Sequence, residues 1–410
     1  MHSVHDKSPT YTPRIPHHRL RFAHHAHCRT YQRWPGRPAG CAQAAQAHRS
    51  AHSKDDVSVS PAAPLVVHHP DARSKGVPPV VTGTHDIYID FADGSRVIDA
   101  FGGAAVAILG FTNETIIQAI ETEQRKTGFI YGAFFSHTAG EELADYLVNY
   151  SGGDFAGCNF IAGGSEAAES ALKTARQYWW EKGQKEKKRF IGRHMSYHGN
   201  TIGALSVAYH PGKRAPFASF VNEDIFHYVS PASYFHYGKE GQSEEDYATQ
   251  LADELDAKIT ELGAETVAAF MIEPIVSSSQ GLAFAPKTYF QKVRAVCDKH
   301  DVLLIFDEIM CGMWRMGRMF TYKRFGEGVK PDILIAAKGL GAGFVPIGVM
   351  FANQRIVDAI LDGSGFWNHG FTYTAFGTSC AGALAAQKYL VENGFEGKID
   401  RLEEQIGTHL

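Results

Sequence analysis

The sequence predicts an α/β fold with a mostly parallel central sheet that is sandwiched by helices. Two short apolar runs, Val302–Phe306 and Ile333–Ala337, are rich in Ile, Leu and Val and are bounded by charged, Gly or Pro residues. Strands that are buried on both faces of a parallel sheet have this composition. Segments with helical periodicity, such as Tyr247–Leu262 and Phe290–Cys297, alternate with similar apolar runs, as is expected of such a sheet.

Both apolar runs end in a charged residue, Asp307 after the first and Lys338 after the second. Ligands of open α/β sheets bind at the carboxyl ends of the strands. A carboxylate and an amine at that edge suit a cofactor that needs one group on a ring nitrogen and another on an aldehyde, and pyridoxal 5'-phosphate is such a cofactor. Taken singly, each residue is more often a solvated loop residue or half of a salt bridge.

Composition bounds the class of protein. The 410 residues are 44% apolar, enough for a large core and for one large and one smaller domain. The first 54 residues carry nine Lys or Arg and the single acid Asp6, a charge of +8, so the net charge of −4 leaves −12 for the remainder. An acidic body without an apolar run of eighteen residues predicts neither nucleic-acid binding nor a membrane span.

The amino-terminal residues 1–57 are predicted to be a disordered basic extension, because they are rich in His, Arg and Pro and show no sustained period. An Arg-rich, acid-poor leader is typical of mitochondrial transit peptides, but the prolines and histidines interrupt the amphipathic helix. The His pairs have no recognisable metal-ligand spacing. Six cysteines without CxxC pairs favour a reducing compartment, so the cytoplasm is expected and the mitochondrion is the alternative.

Three further segments are predicted from the amino terminus onward. Residues 58–110 contain a β-hairpin around the Asp93-Gly94 turn and belong to the small domain. Residues 111–375 form the large domain, and 376–410 begin a carboxyl-terminal small domain.

The run Cys158–Ile161 is predicted to be a strand that leads through a Gly-rich turn into a helix starting at Gly164-Ser165. The free N–H groups and the dipole of a helix N-terminus favour an anion, so this turn is a candidate phosphate site. By itself, Gly-Gly-Ser before a helix is usually only a turn with a Ser cap.

Two more strand ends carry candidate residues. After the predicted strand at Arg189, Tyr197-His198 place an aromatic ring that could stack on a pyridine ring, although a buried tyrosine at a strand end is the alternative. The buried strand Val267–Ile272 delivers Glu273. The helices predicted between these strands carry no chemistry.

Together these motifs resemble the class III aminotransferases, from about Gly83 to Leu410. The matching segments occur in family order: Gly164-Ser165-Glu166-Ala167, Tyr197-His198-Gly199, Glu273-Pro274, Asp307-Glu308 and Ala337-Lys338-Gly339. The resemblance implies the fold-type I architecture of pyridoxal-phosphate enzymes and a homodimer or higher assembly.

The resemblance also implies a catalytic pair. Lys338 would carry the cofactor as a Schiff base and then move the proton of the substrate carbon. Asp307 would keep the pyridine nitrogen protonated. The residues placed around the cofactor are Gly164, Ser165, Tyr197, His198, Glu273, Asp307, Ile309, Lys338 and Thr372, and no metal is implied.

Within that set, Ile309 would cover the ring face opposite Tyr197, and Thr372 would reach the phosphate of the partner subunit's cofactor. Glu273 and His198 would support the residues that contact the cofactor, without a catalytic role of their own. Phe134-Phe135-Ser136 lie between two predicted helices and are either core aromatics or an apolar wall of the substrate channel.

Several positions depart from the family pattern. Ser278 replaces a glutamate that enzymes using ornithine-like donors carry five residues after Glu273. The resemblance is therefore strongest to the ω-amino acid and amine:pyruvate branch, and it implies transfer of an amino group from an amine or ω-amino acid to a small 2-oxo acid. Met310 replaces a glutamine that would bond the cofactor hydroxyl.

Two alternatives stay open. An aminomutase, racemase or decarboxylase would use the same lysine and aspartate. A truncated, non-catalytic relative acting as an interaction protein is favoured by Trp314 and Met316, where the family has Gly and Thr. Relatives continue past Leu410, so the helix at 381–390 is expected to be left uncovered and the chain to be prone to association.

Overall fold

The structure is a computed structural model that describes residues 79–276 and 279–407. The predicted disordered extension at 1–57 and the departure at Ser278 lie outside the described residues. The residues from Pro78 to Leu410 cluster as one unit, and the expected domain boundaries after residues 110 and 375 fall inside it and stay predictions.

Twelve strands form three sheets in the described ranges. The first three strands make a small antiparallel sheet, which confirms the predicted hairpin and adds β1 to it. The strands are β1 Val81–His85, β2 Tyr88–Phe91, β3 Arg96–Ile98, β4 Gly157–Ile161, β5 Arg189–Arg193, β6 Phe226–Val229, β7 Val267–Ile272, β8 Ile275–Val276, β9 Ala283–Phe284, β10 Leu303–Asp307, β11 Ile333–Ala336 and β12 Gly348–Ala352.

Nine α-helices of six or more residues lie in the same ranges, and single α-helical turns and 3-10 helices connect them. They are α1 Glu114–Lys126, α2 Thr138–Ser151, α3 Gly164–Glu181, α4 Ile202–Val207, α5 Glu244–Leu262, α6 Tyr289–Lys299, α7 Gln354–Asp362, α8 Gly377–Glu392 and α9 Lys398–Gly407. Single α-helical turns are at Gly102–Ala105, Pro211–Arg214 and Tyr234–Tyr237, and 3-10 turns are at Ala215–Phe220, Ala264–Thr266, Thr321–Phe325 and Lys338–Leu340.

The central sheet has seven strands in the order β4-β12-β11-β10-β7-β5-β6. Strand β12 pairs antiparallel with both of its neighbours, and the other pairs are parallel. Strands β7 and β10 are buried at every residue, as their continuous apolar sequences predict. One hydrophobic cluster packs on each face of the sheet, so helices cover both sides.

This strand order brings distant parts of the chain to one edge. Strands β4, β5, β7, β10 and β11 run in the same direction, so their carboxyl ends lie at the same edge of the sheet. The residues that follow those ends include Gly164, Tyr197, Glu273, Asp307 and Lys338. The sheet therefore gathers sequence positions that are up to about 170 residues apart, and it does so at the edge where α/β proteins bind ligands.

Local chemistry sets the ends of several helices. The Asn113 side chain accepts a hydrogen bond from the N–H of Ile116 at the start of α1, and Ser243 does the same for Asp246 at the start of α5. Helix α2 stops at Gly152, whose φ of 74° suits a residue without a Cβ.

Helix α8 packs on α1 and α2, and its buried residues include Cys380, Ala383, Leu384, Gln387 and Leu390. The expectation of an uncovered helix at 381–390 was therefore wrong for most of its surface, because α1 and α2 supply the cover. In the residues searched, no helix is long and apolar enough to cross a membrane.

Candidate active site

A cavity of about 290 Å³ opens at the carboxyl edge of the central sheet. Eight of the nine predicted cofactor residues line it. They are Gly164, Ser165, Tyr197, His198, Glu273, Asp307, Ile309 and Lys338. The remaining walls are Val106, Ala162, Gly163, Gly199, Ile275, Met310, Ala337 and Val345–Ile347.

The Asp307 carboxylate is held from two sides at the end of β10. Its Oδ1 accepts a hydrogen bond of 3.0 Å from the N–H of Ile309, and its Oδ2 lies 2.7 Å from Nδ1 of His198. An ionised carboxylate can only accept, so Nδ1 of His198 carries the hydrogen of this bond. Both side chains are almost completely buried. These two hydrogen bonds fix the carboxylate in position, and its oxygens can still accept further hydrogen bonds.

Glu273, which follows β7, connects the carboxyl ends of β7 and β5 at the site. Its Oε2 accepts a hydrogen bond of 3.1 Å from the N–H of Tyr197, and its backbone carbonyl accepts one of 2.6 Å from Nη2 of Arg193. Burial raises the pKa of the Glu273 carboxyl, while the nearby His198 opposes that shift. Glu273 therefore places the ring of Tyr197 by holding its backbone.

Lys338 follows β11 in a tight 3-10 turn, with a left-handed φ of 36°. Few residues other than glycine adopt this conformation, and it is strained where it occurs. Burial lowers the pKa of the Lys338 amine, and the carboxylates of Asp307 and Glu273 act in the opposite direction. A lowered pKa increases the fraction of neutral amine at a given pH, which a nucleophile and proton carrier needs.

The Gly-rich turn before α3 forms a cradle of small residues. A Cβ on Gly164 would lie 3.0 Å from two side-chain carbons of Ile309, and one on Gly199 would lie 2.5 Å from Oγ of Ser165. The N-cap residue Gly163 offers no side-chain acceptor to the first N–H groups of α3. These groups stay available to an anion, as the sequence predicts.

The donor set fits pyridoxal phosphate at three separate places. Lys338 offers an amine for the aldehyde, Asp307 offers a buried carboxylate for the ring nitrogen, and the start of α3 offers N–H groups for the phosphate. Ile309 and Tyr197 both line the cavity, as is required for two faces of one ring.

Two predicted segments lie outside this cavity. Thr372 is exposed and does not line it, so its predicted role toward a partner subunit stays a prediction. Phe134 and Phe135 are 78% and 66% exposed, so the alternative that they are core aromatics was wrong. The alternative of an apolar channel wall remains.

Several features of the site were not predicted from the sequence. Lys213 places its Nζ 3.8 Å from the centre of the Tyr197 ring, and Val345–Ile347 form a wall that precedes the antiparallel strand β12. An isolated apolar strand such as β12 gives no sign in the sequence of the direction in which it runs. No local signal identified Lys213, because its partner is sixteen positions away in the sequence.

Comparison with known proteins places the chain in a family. The family model described as aminotransferase class-III matches residues 71–410. An aminotransferase of Gibberella zeae is 41% identical over 332 residues, which are 80% of this chain and 65% of that protein. The putrescine–pyruvate aminotransferase of Pseudomonas aeruginosa is 33% identical over 336 residues, 81% of this chain and 71% of that protein. The chain thus spans about two thirds of the length of these relatives.

Solved structures are similar as well. The ω-transaminase of Pseudomonas jessenii in complex with PMP superimposes with a TM-score of 0.74 at 33% identity, over 77% of this chain and 70% of that one. An amine transaminase from an uncultivated Pseudomonas species, solved in the PLP-bound form, gives a TM-score of 0.77 at 30% identity, over 84% of this chain and 77% of that one. The chain therefore belongs to the class III aminotransferases and has their fold-type I architecture.

Proposed function

We propose that this chain carries pyridoxal 5'-phosphate on Lys338 and transfers an amino group from an amine or ω-amino acid to a small 2-oxo acid. The observation that carries the proposal is the half-buried amine of Lys338, which shares one cavity with the carboxylate of Asp307 and the open start of α3.

The cofactor, when bound, supplies a ring that withdraws electrons from the carbon bearing the amino group. The protein supplies position and protons. Asp307 would hold a proton on the ring nitrogen, and His198 would keep the carboxylate oriented through the 2.7 Å contact. Lys338, once freed by the incoming amine, would carry the proton from the substrate carbon. The N–H groups of Gly164 and Ser165 would hold the phosphate.

The names of the relatives support this choice of substrates. One relative is a putrescine–pyruvate aminotransferase, and others, from tomato and rice, are named as known or probable γ-aminobutyrate transaminases. These donors carry the reacting amine at the end of an alkyl chain, in agreement with the expectation based on Ser278.

The same proposal includes a homodimer in which Thr372 reaches the phosphate site of the partner subunit. Exposed aromatic side chains support it, because large exposed apolar patches mark association surfaces. Phe129, Tyr131, Phe134, Phe135 and Tyr373 are each at least half exposed, and Phe129 packs edge-on against Tyr373. We also propose a cytoplasmic location, supported by the four cysteines of the described ranges, which are all free thiols.

Chemical trapping tests the cofactor lysine. The purified chain is incubated with pyridoxal phosphate, reduced with borohydride and digested, and the peptides are mapped by mass spectrometry. The pyridoxyl label is expected on Lys338, and Lys213, the exposed neighbouring lysine, serves as the internal control for non-specific labelling. A label on Lys213 or elsewhere, with Lys338 unmodified, would refute the assignment.

A donor screen tests the reaction. Conversion of the bound cofactor to its pyridoxamine form is followed after adding β-alanine, putrescine, an aryl-alkyl amine or acetylornithine. Stoichiometric conversion by the first three is expected. An aminomutase, racemase or decarboxylase would leave the cofactor unconverted, a non-catalytic relative would respond to none, and exclusive use of acetylornithine would contradict the substrate class.

A further inference from the structure

The side chain of Gln387 in α8 is completely buried. Its amide forms hydrogen bonds to the turn that carries Lys338. Its Nε2 donates hydrogen bonds of 2.9 Å to the backbone carbonyls of both Gly339 and Leu340. These are the two residues that follow Lys338 in its 3-10 turn. The side chain of Gln387 in α8 therefore holds the 338–340 turn by two hydrogen bonds.

The remaining atom of that amide is bound to Trp314. Oε1 of Gln387 accepts a hydrogen bond of 3.0 Å from the indole Nε1 of Trp314, whose ring is 1% exposed. An indole N–H only donates, so it determines which end of the amide faces the Lys338 turn. Trp314 is one of the two residues that, in the sequence, favoured a non-catalytic relative. In the structure it orients the amide.

The turn held by this amide is strained. Lys338 has a φ of 36°, and Met313 and Trp314, on the opposing segment, have φ values of 48° and 73°. The two segments are in close contact, because a Cβ on Gly339 would lie 2.6 Å from the carbonyl oxygen of Met313. Such conformations persist only where the surroundings hold them in place.

We propose that Gln387 is a positioning residue, which holds the 338–340 turn through its amide so that Lys338 keeps its left-handed conformation and directs its amine into the cavity. This proposal rests on the proposed function in that Lys338 is the lysine that reacts. Gln387 itself does not line the cavity.

The substitution Gln387→Met tests it, because methionine has nearly the same length and cannot donate a hydrogen bond. Once the turn relaxes, the Lys338 amine should become more exposed and lose part of the burial that lowers its pKa. The pH midpoint for acetylation of Lys338 is measured on the cofactor-free chain with acetic anhydride and mass spectrometry. It is expected to rise by about one pH unit.

A control for the loss of a glutamine amide at an exposed position is Gln291→Met in α6. The amide of Gln291 also donates to a backbone carbonyl, that of Phe325, at 2.6 Å, and Gln291 does not line the cavity. This variant should leave the acetylation midpoint of Lys338 unchanged. If Gln387→Met lowers the melting temperature but leaves the midpoint where it is in the unsubstituted chain, Gln387 is merely structural and the proposal is overturned.

A second variant, Trp314→Phe, keeps an aromatic ring but removes the indole N–H together with part of the bicyclic ring. It is expected to move the midpoint in the same direction by a smaller amount, and it decides the question if Gln387→Met does not fold. An unchanged midpoint in that case overturns the proposal. Because acetylation needs no cofactor or donor, failed trapping of pyridoxal phosphate on Lys338 would refute the proposed function without altering this result.

Discussion

Replacing Asp307 by asparagine is the most direct test of the chemistry proposed for this site. The substitution keeps the shape of the side chain and removes its charge. Oδ1 of Asp307 accepts from the N–H of Ile309 at 3.0 Å, and an amide oxygen can retain that bond. The amide N–H₂ would then face Nδ1 of His198, a contact of 2.7 Å in which the native carboxylate accepts.

The size of the effect follows from burial. Asp307 is 4% exposed and His198 is 1% exposed, so little water is present to replace the lost charge. Removing one preorganised electrostatic group from an active site costs about 3–4 kcal/mol of transition-state stabilisation. Proton abstraction should therefore slow by about a hundredfold to a thousandfold.

The assay is single-turnover conversion of the cofactor by a saturating amine, followed by absorbance. Asp332→Asn is the matched control, because Asp332 is also buried in the central sheet and binds Arg294 and the N–H of Leu304 at 3.0 and 2.8 Å. It lies outside the cavity, so this variant should lose stability and keep its rate. Turnover of Asp307→Asn within about threefold of the native rate would contradict the role given to Asp307.

Two further predictions concern stability. Lys187 is 3% exposed, and four backbone carbonyl oxygens lie within hydrogen-bond distance of its three-donor Nζ, the nearest being that of Asp301 at 2.6 Å. Lys187→Met should lower the free energy of unfolding by about 2–4 kcal/mol in urea titrations, and an unchanged midpoint would contradict this. Burial raises the pKa of Glu308 from 4.5 to about 8, so its contribution to stability is complete below pH 4.5 and is lost as the pH rises through 8. Glu308→Gln should therefore flatten the fall in melting temperature between pH 5 and 9, and an equally steep profile in both proteins would refute this origin.

The sequence by itself determined the strands and the residues at their ends. Continuous apolar runs identified β7, β10 and β11, because a strand buried on both faces has no polar face to interrupt it. Asp307, Lys338 and Glu273 were predicted from their positions directly after such runs. The parallel-sheet rule then predicted that these residues meet, and they line one cavity.

Only the tertiary structure decided which residues support these groups. Gln387 lies in a helix whose pattern predicted nothing beyond an apolar face, and its partners Gly339 and Trp314 are 48 and 73 residues away. The exposure of Phe135 and the burial of α8 likewise depend on which elements pack together. Apolar periodicity predicts which side chains are buried. Which other element packs against them depends on the tertiary structure.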